Sequence, residues 1–344
     1  MNEHRTTEML KSRFYMNRHN KKDILRKDKR GGKKVSIVTL SEVLKDARNK
    51  KYGVGLFNTV NLEMARAIIG AAEEEKSPVI IGLAEVHIPY GDLDMMAPIM
   101  MKFAKEAKVP VAIHFDHGMT FDLILKAMHL GFTSVMFDGS TLPYEENIRQ
   151  TREIVKIAHA LGVSVEAELG HVGGAEGGGS DGHEAHYTEV WQAADFVDKT
   201  GIDALAVAIG TAHGEYITKP KLDINRLSEI HRKVDRPLVL HGGSGLSDHD
   251  FRNCIQNGIS KVNIFTDMSV AAVNTIANTL GVSSNLKECK NDNEIVALVV
   301  QNVVKQLSSQ KTNISYPDLI NKTMDGIKEE VISKMRLFGS SNRA

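Results

Sequence analysis

Cysteine is scarce in this 344-residue chain: Cys254 and Cys289 are the only two, without the spacing of a metal site or the number for a disulfide framework. That usage suits a reducing compartment, and the expected location is cytoplasmic. Long apolar runs are missing too. No stretch is long enough to span a bilayer, and the first 34 residues lack the apolar centre of a secretory signal, so no membrane partner is expected. The dinucleotide-binding fingerprint of a Rossmann sheet is absent. Net charge is zero, yet residues 1–34 hold 12 Lys and Arg against 4 Asp and Glu, which leaves the other 310 residues at 31 against 39. The basic segment reads as a solvated extension. Contact with a nucleic acid or a protein is the sharper alternative, and no nucleic-acid partner is expected.

What the chain does have is a steady alternation of short apolar runs with amphipathic segments from Val35 onward, the pattern of βαβ units on a parallel sheet. Eight strands are expected: residues 53–58, 78–84, 110–116, 134–138, 164–170, 204–210, 237–241 and 261–265. Asn61, Pro143, Thr188 and Ser247 mark helix starts, and Gly131, Gly162, Gly201 and Gly258 sit where left-handed caps are needed. Eight such units favour a (β/α)8 TIM barrel over an open doubly wound sheet. The expected organisation is an extension over 1–34 and one domain over 35–344. Its barrel core covers about 53–275, with a C-terminal helical elaboration over about 276–344.

In such a barrel the C-terminal strand ends converge on one face, where catalytic groups belong. Strand three ends in Asp116 and His117, with Gly118 read as the residue that lets the chain turn. Strand four offers Asp138, strand five Glu168, strand six His213 and strand seven His241. Three imidazoles from different strands suit a catalytic zinc site, although nickel, cobalt or iron accept similar ligands. Gly242, Gly243 and Ser244 after strand seven, with Asn263 to Asp267 after strand eight, occupy the place where these barrels build phosphate sites from backbone N–H groups. The glycine-rich loop Gly173–Gly182 carries Glu176 and reads either as a mobile lid with an acid/base or as a surface loop with a solvated carboxylate. No lysine is read at a strand's C-terminal end, and Lys261 is placed at the start of strand eight. His171, His183 and His186 read as solvated, and the methionines on the helix after strand two as packing residues.

Several long motifs now stand in order: His114-Phe-Asp-His-Gly118, Gly131-Phe-Thr-Ser-Val-Met-Phe-Asp-Gly-Ser140, Glu166-Ala-Glu-Leu-Gly170, Ala208-Ile-Gly-Thr-Ala-His-Gly214, Leu240-His-Gly-Gly-Ser-Gly245, Lys261-Val-Asn-Ile264 and the ending Met335-Arg-Leu-Phe-Gly-Ser340. In these the chain closely resembles the class II, metal-dependent ketose-bisphosphate aldolases, which include fructose-bisphosphate and tagatose-bisphosphate aldolases. The resemblance implies a zinc-dependent lyase that splits a ketose 1,6-bisphosphate into dihydroxyacetone phosphate and glyceraldehyde 3-phosphate through a zinc-stabilised enediolate. It implies His117, His213 and His241 as zinc ligands, and Asp138 and Glu168 as carboxylates for a displaced or second metal. Asp116 matches the acid/base at the hydroxyl beside the breaking bond, and Glu176 the lid carboxylate. Gly214, Gly242, Gly243, Ser244, Asn263, Ile264, Phe265 and Thr266 match the segments around the phosphate, with a monovalent cation (Na+ or K+) often nearby. A homodimer or homotetramer acting on a small sugar phosphate is implied. Phe115, and the glycines after Glu176, depart from the family pattern. A metal-dependent hydrolase on the same barrel and a non-catalytic or regulatory aldolase-like subunit are the alternatives.

Overall fold

Val, Ile and Ala crowd both faces of the short apolar segments, as strands need when helices cover them outside and side chains fill the space inside. The computed structural model describes residues 36–174, 186–214, 220–280 and 314–344. In it eight parallel strands close into one barrel in chain order. They are β1 (Val54–Asn58), β2 (Val79–Ala84), β3 (Val111–Gly118), β4 (Ser134–Phe137), β5 (Ser164–Leu169), β6 (Ala204–Val207), β7 (Leu238–Leu240) and β8 (Ile259–Ile264). The seam is β1 on β8, with Leu56 paired to Asn263. One boundary matters for the site: β8 starts at Ile259, two residues earlier than expected, which moves Lys261 from the strand's start to its middle.

Ten α-helices surround the barrel among the described residues: α1 (Leu40–Lys50), α2 (Leu62–Glu75), α3 (Leu93–Glu106), α4 (Phe121–Leu130), α5 (Tyr144–Ala160), α6 (Val190–Thr200), α7 (Ile224–Lys233), α8 (Asp248–Gln256), α9 (Thr266–Thr279) and α10 (Tyr316–Phe338). Asn61 and Ser247 cap α2 and α8 as expected, accepting from Met64 N at 2.8 Å and Asp250 N at 3.2 Å. Thr188 does not cap α6. Its hydroxyl donates to Leu169 O and accepts from Ala208 N at 2.8 Å, tying the chain after β5 to the chain after β6. Cap geometry at α6 falls to Glu189.

Sequence reading missed α1, which lies before the first strand and so outside the βαβ rhythm. A reciprocal Thr39–Glu42 cap starts it. Leu40, Val43, Leu44 and Ala47 then pack on Leu56, Ile80, Ala112, Met136, Ala204 and Val239 inside the barrel, forming its apolar floor. Each fully buried leucine there contributes about 1.5–3 kcal/mol. Above the floor the inward residues turn polar: His114, Asp116, Glu166, Glu168, Lys261 and Asn263 are all buried. At the other end of the chain, α10 packs along α2 and α9. Phe338 lies 5.2 Å from Phe251 between ring centroids, and its carbonyl accepts from Gly53 N at 2.9 Å.

Candidate active site

Strict alternation along β3 aims Ala112, His114 and Asp116 into the barrel and would send His117 outward. The structure breaks that alternation. His117 takes a left-handed φ of 45°, and the register with β4 slips between Phe115 and Gly118, which swings His117 into the mouth beside Asp116. The turn therefore belongs to His117 and not to Gly118, contrary to the sequence reading. Gly118 is needed for a different reason: a Cβ there would lie 2.6 Å from Ile124 Cγ1 and from Met136 O. A non-glycine residue held at positive φ costs about 1–3 kcal/mol, and such strain concentrates at functional sites.

Around His117 stand His213 and His241, with ring centroids 5.0 and 4.4 Å away. One nitrogen from each ring falls within 4.8 Å of the others. His117 Nε2 faces His241 Nδ1 at 2.7 Å, while the opposite nitrogen of each ring meets a carboxylate: His117 Nδ1 to Asp138 Oδ2 at 2.8 Å, and His241 Nε2 to Glu166 Oε1 at 2.9 Å. A carboxylate takes the N–H of its imidazole, leaving lone pairs on the two nitrogens that face one another. Two lone pairs at that distance repel unless a cation lies between them. The donor set therefore fits a divalent metal held by three imidazoles with an open position.

Asp138 and Glu168 lie beside this centre, and with His117 they form a second group of converging donors. Burial opposes charge on Asp138, but His117 and the amide and hydroxyl of Ser140 hold it well below the usual carboxylate range. Glu168 goes the other way, raised well above its ordinary value by burial and by Asp138. Its Oε1 accepts from Val172 N at 3.1 Å, and its Oε2 has no hydrogen-bond partner among the described residues. His241 is pushed down to about 4 by burial and by His117. His171 is buried rather than solvated: its Nδ1 lies 2.9 Å from the Ser140 hydroxyl that also bonds Asp138.

Asp116 is fully buried, yet His117 and Lys261, with His114 Nε2 3.5 Å away, outweigh burial and hold its carboxyl well below the usual carboxylate range. Asn58 Nδ2 donates to its Oδ2 at 2.9 Å, and Asn263 Nδ2 to both oxygens at 3.0 and 3.1 Å. Asn58 was legible, since it is the last residue of β1, but the strand-end reading began at strand three. Lys261 was misplaced: mid-strand and inward, its ammonium lies 2.8 Å from Glu166 Oε2 and 3.9 Å from Asp116 Oδ1.

The expected phosphate segments meet at the same mouth, though their side chains divide. Gly242, at φ 61°, passes so close to Ala212 O that no Cβ fits, which joins the loops after β6 and β7. Gly214, in the former, has a left-handed φ of 85°. Ser244 Oγ accepts from Asp267 N at 3.4 Å, and Asp267 Oδ1 from Gly245 N at 3.1 Å, so Gly243 and Ser244 lie against the first turn of α9, which opens at Thr266. Asn263 turns to Asp116 instead. The Ile264 side chain is buried in the outer core, and the Phe265 ring stacks on His87 at 4.0 Å, so both reach the mouth only through backbone. Glu176 lies outside the described residues, as do His183, Cys289, the basic extension and nearly all of the polar segment over 281–314.

A closed parallel barrel with three imidazoles and an ionised carboxylate at its C-terminal mouth defines a (β/α)8 enzyme built for metal-assisted chemistry. Comparison with known proteins narrows that class. The family model described as fructose-bisphosphate aldolase class-II matches residues 38–343, and the chain belongs to this family of lyases. It is 39% identical to the probable fructose-bisphosphate aldolase of Bacillus subtilis (strain 168) over 314 residues, covering 90% of this chain and 99% of that one. It is also 39% identical to the fructose-bisphosphate aldolase of Thermus caldophilus, covering 90% and 100%. Among solved structures, the YdjI aldolase from Escherichia coli K12 superposes with a TM-score of 0.73 at 34% identity, covering 90% of this chain and 99% of that one.

Proposed function

We propose that the chain reversibly cleaves a ketose 1,6-bisphosphate, fructose 1,6-bisphosphate first and tagatose 1,6-bisphosphate next, into dihydroxyacetone phosphate and glyceraldehyde 3-phosphate. The observation that carries this reading is the buried Asp116 carboxyl, which accepts from the side-chain amides of Asn58 and Asn263, one peptide bond from an imidazole that faces two others. His117, His213 and His241 would hold the cation, zinc in our reading. When bound, it would act as a Lewis acid that polarises the ketone and stabilises negative charge left on the donor fragment.

The chain's own residues supply the rest. In cleavage the bond between the third and fourth carbons breaks, its electron pair stays with the ketone fragment, and the fourth-carbon hydroxyl loses its proton to Asp116. Asn58 and Asn263 hold that carboxylate in place, while Asp138 and Glu166 fix which nitrogen of His117 and of His241 faces the metal position. A proton must then reach the third carbon, the role expected of Glu176. Gly214, Gly242, Gly243, Ser244 and the first turn of α9 offer N–H groups to the phosphate of the dihydroxyacetone half, with a monovalent cation beside them. A hydrolase has no need of such a cradle, and a non-catalytic subunit no need of an intact donor set.

The test is a coupled assay for dihydroxyacetone phosphate release from both bisphosphates with zinc present. Turnover of fructose 1,6-bisphosphate, exceeding that of the tagatose epimer in kcat/KM, is expected. Absence of release from both contradicts the proposal.

A further inference from the structure

One layer below the three imidazoles lies a cluster of which the proposed reaction uses only Asp116 directly. His114, Asp116 and Glu166 bring their donor atoms within 4.8 Å of one another, all fully buried, in an arrangement that resembles a cation site. A cation is already there. Lys261 Nζ reaches in from β8, 2.9 Å from Glu166 Oε1, 2.8 Å from Oε2 and 3.9 Å from Asp116 Oδ1. Of the two oxygens it meets, Oε1 also meets His241 Nε2 at 2.9 Å. From across the barrel, His114 Nε2 faces Glu166 Oε2 at 3.8 Å and Asp116 Oδ1 at 3.5 Å, with its Nδ1 on Ser134 Oγ at 2.6 Å.

We propose that Lys261 is a positioning residue: its ammonium fills this cluster, holds Glu166 against His241, and so keeps His241 Nδ1 turned toward His117 as a metal ligand. The proposal rests on the three-imidazole reading of the metal centre. Its physical basis is the order of contacts along Lys261, Glu166, His241 and the open nitrogen. Glu166 accepts the N–H at Nε2, which leaves the lone pair at Nδ1, and Lys261 fixes the Glu166 oxygens from below. A Gln at 166 breaks the chain without changing its size. Lys261 meets both Glu166 oxygens and His241 only Oε1, so the Gln NH2 group faces Lys261 in one orientation and both Lys261 and His241 in the other, a donor against a donor each time.

The experiment measures zinc affinity of the metal-free protein by competition with a chromophoric chelator, for wild type, Glu166→Gln, Lys261→Met and the surface control Lys328→Met. Lys328 Nζ pairs with Glu74 Oε2 at 2.7 Å, away from the barrel interior. Wild type and the control are expected to bind one zinc per chain with equal affinity, and Glu166→Gln and Lys261→Met to bind about 10–100-fold more weakly. The cobalt-loaded Glu166→Gln protein should also show an altered visible spectrum while its near-UV circular dichroism matches wild type, which separates a local change at the metal from a general loss of packing. Should Lys261→Met fail to fold, the isosteric Glu166→Gln decides alone. Affinity within twofold of wild type in folded Glu166→Gln overturns the role given to Lys261 and Glu166 while leaving the metal centre intact. A wild-type chain that takes up no divalent ion overturns the three-imidazole reading, and this inference with it.

Discussion

Asp116 and His117 are adjacent in sequence but reach the mouth by different means, one by strand alternation and the other by a left-handed kink. The chemistry assigned to Asp116 separates from metal binding for that reason. Asp116→Asn should lower kcat by about 10²–10⁴-fold while leaving zinc stoichiometry unchanged, checked by steady-state kinetics and metal analysis on the same sample. Loss of zinc together with activity would instead place Asp116 among the ligands. Glu168 yields a prediction about pH. Its buried carboxyl is raised well above the ordinary 4.5, so above that pH the metal-free folded state retains a proton that the unfolded state has lost. That contribution to stability is full below pH 4.5 and fades as pH rises through the raised value. Metal-free Glu168→Gln should lack this decline, so its melting temperature relative to wild type should rise across that window. A constant difference between the two would contradict the assignment.

Elements fix these residues through contacts far from the mouth. Thr188 joins the chain segments that follow β5 and β6, which carry Glu168 and lead to His213. Thr188→Val leaves two buried backbone groups without their partner and should cost about 1–3 kcal/mol per orphaned group in denaturant unfolding. Phe338 locks α10 onto α8 and the start of β1. Truncation to Ala should cost about 3–5 kcal/mol, read by the same measurement. Strand periodicity located all eight strands because burial on both faces leaves continuous Val and Ile runs. It did not find α1, which no strand precedes, or the early start of β8, where Ile259-Ser-Lys lacks an apolar run. That second miss is why Lys261 was placed at the strand's lower end, away from the carboxylates it meets.

The molecule as a whole explains what the sequence could show of the site. A closed barrel brings every strand end to one rim, so Asp116, His117, Asp138, Glu168, His213 and His241 were legible as strand-end polar residues before any coordinates. Residues acting from within the barrel were less so. Asn58 ends β1 and Glu166 shares a strand face with Glu168, but their partners, and the part played by Lys261, follow only from the register that stacks β8 beside β1 in the closed barrel. The same convergence makes metal dependence the most direct test of the account. Turnover of fructose 1,6-bisphosphate should be abolished by exhaustive chelation and restored by one zinc per chain. Undiminished cleavage by protein shown to be metal-free would contradict it.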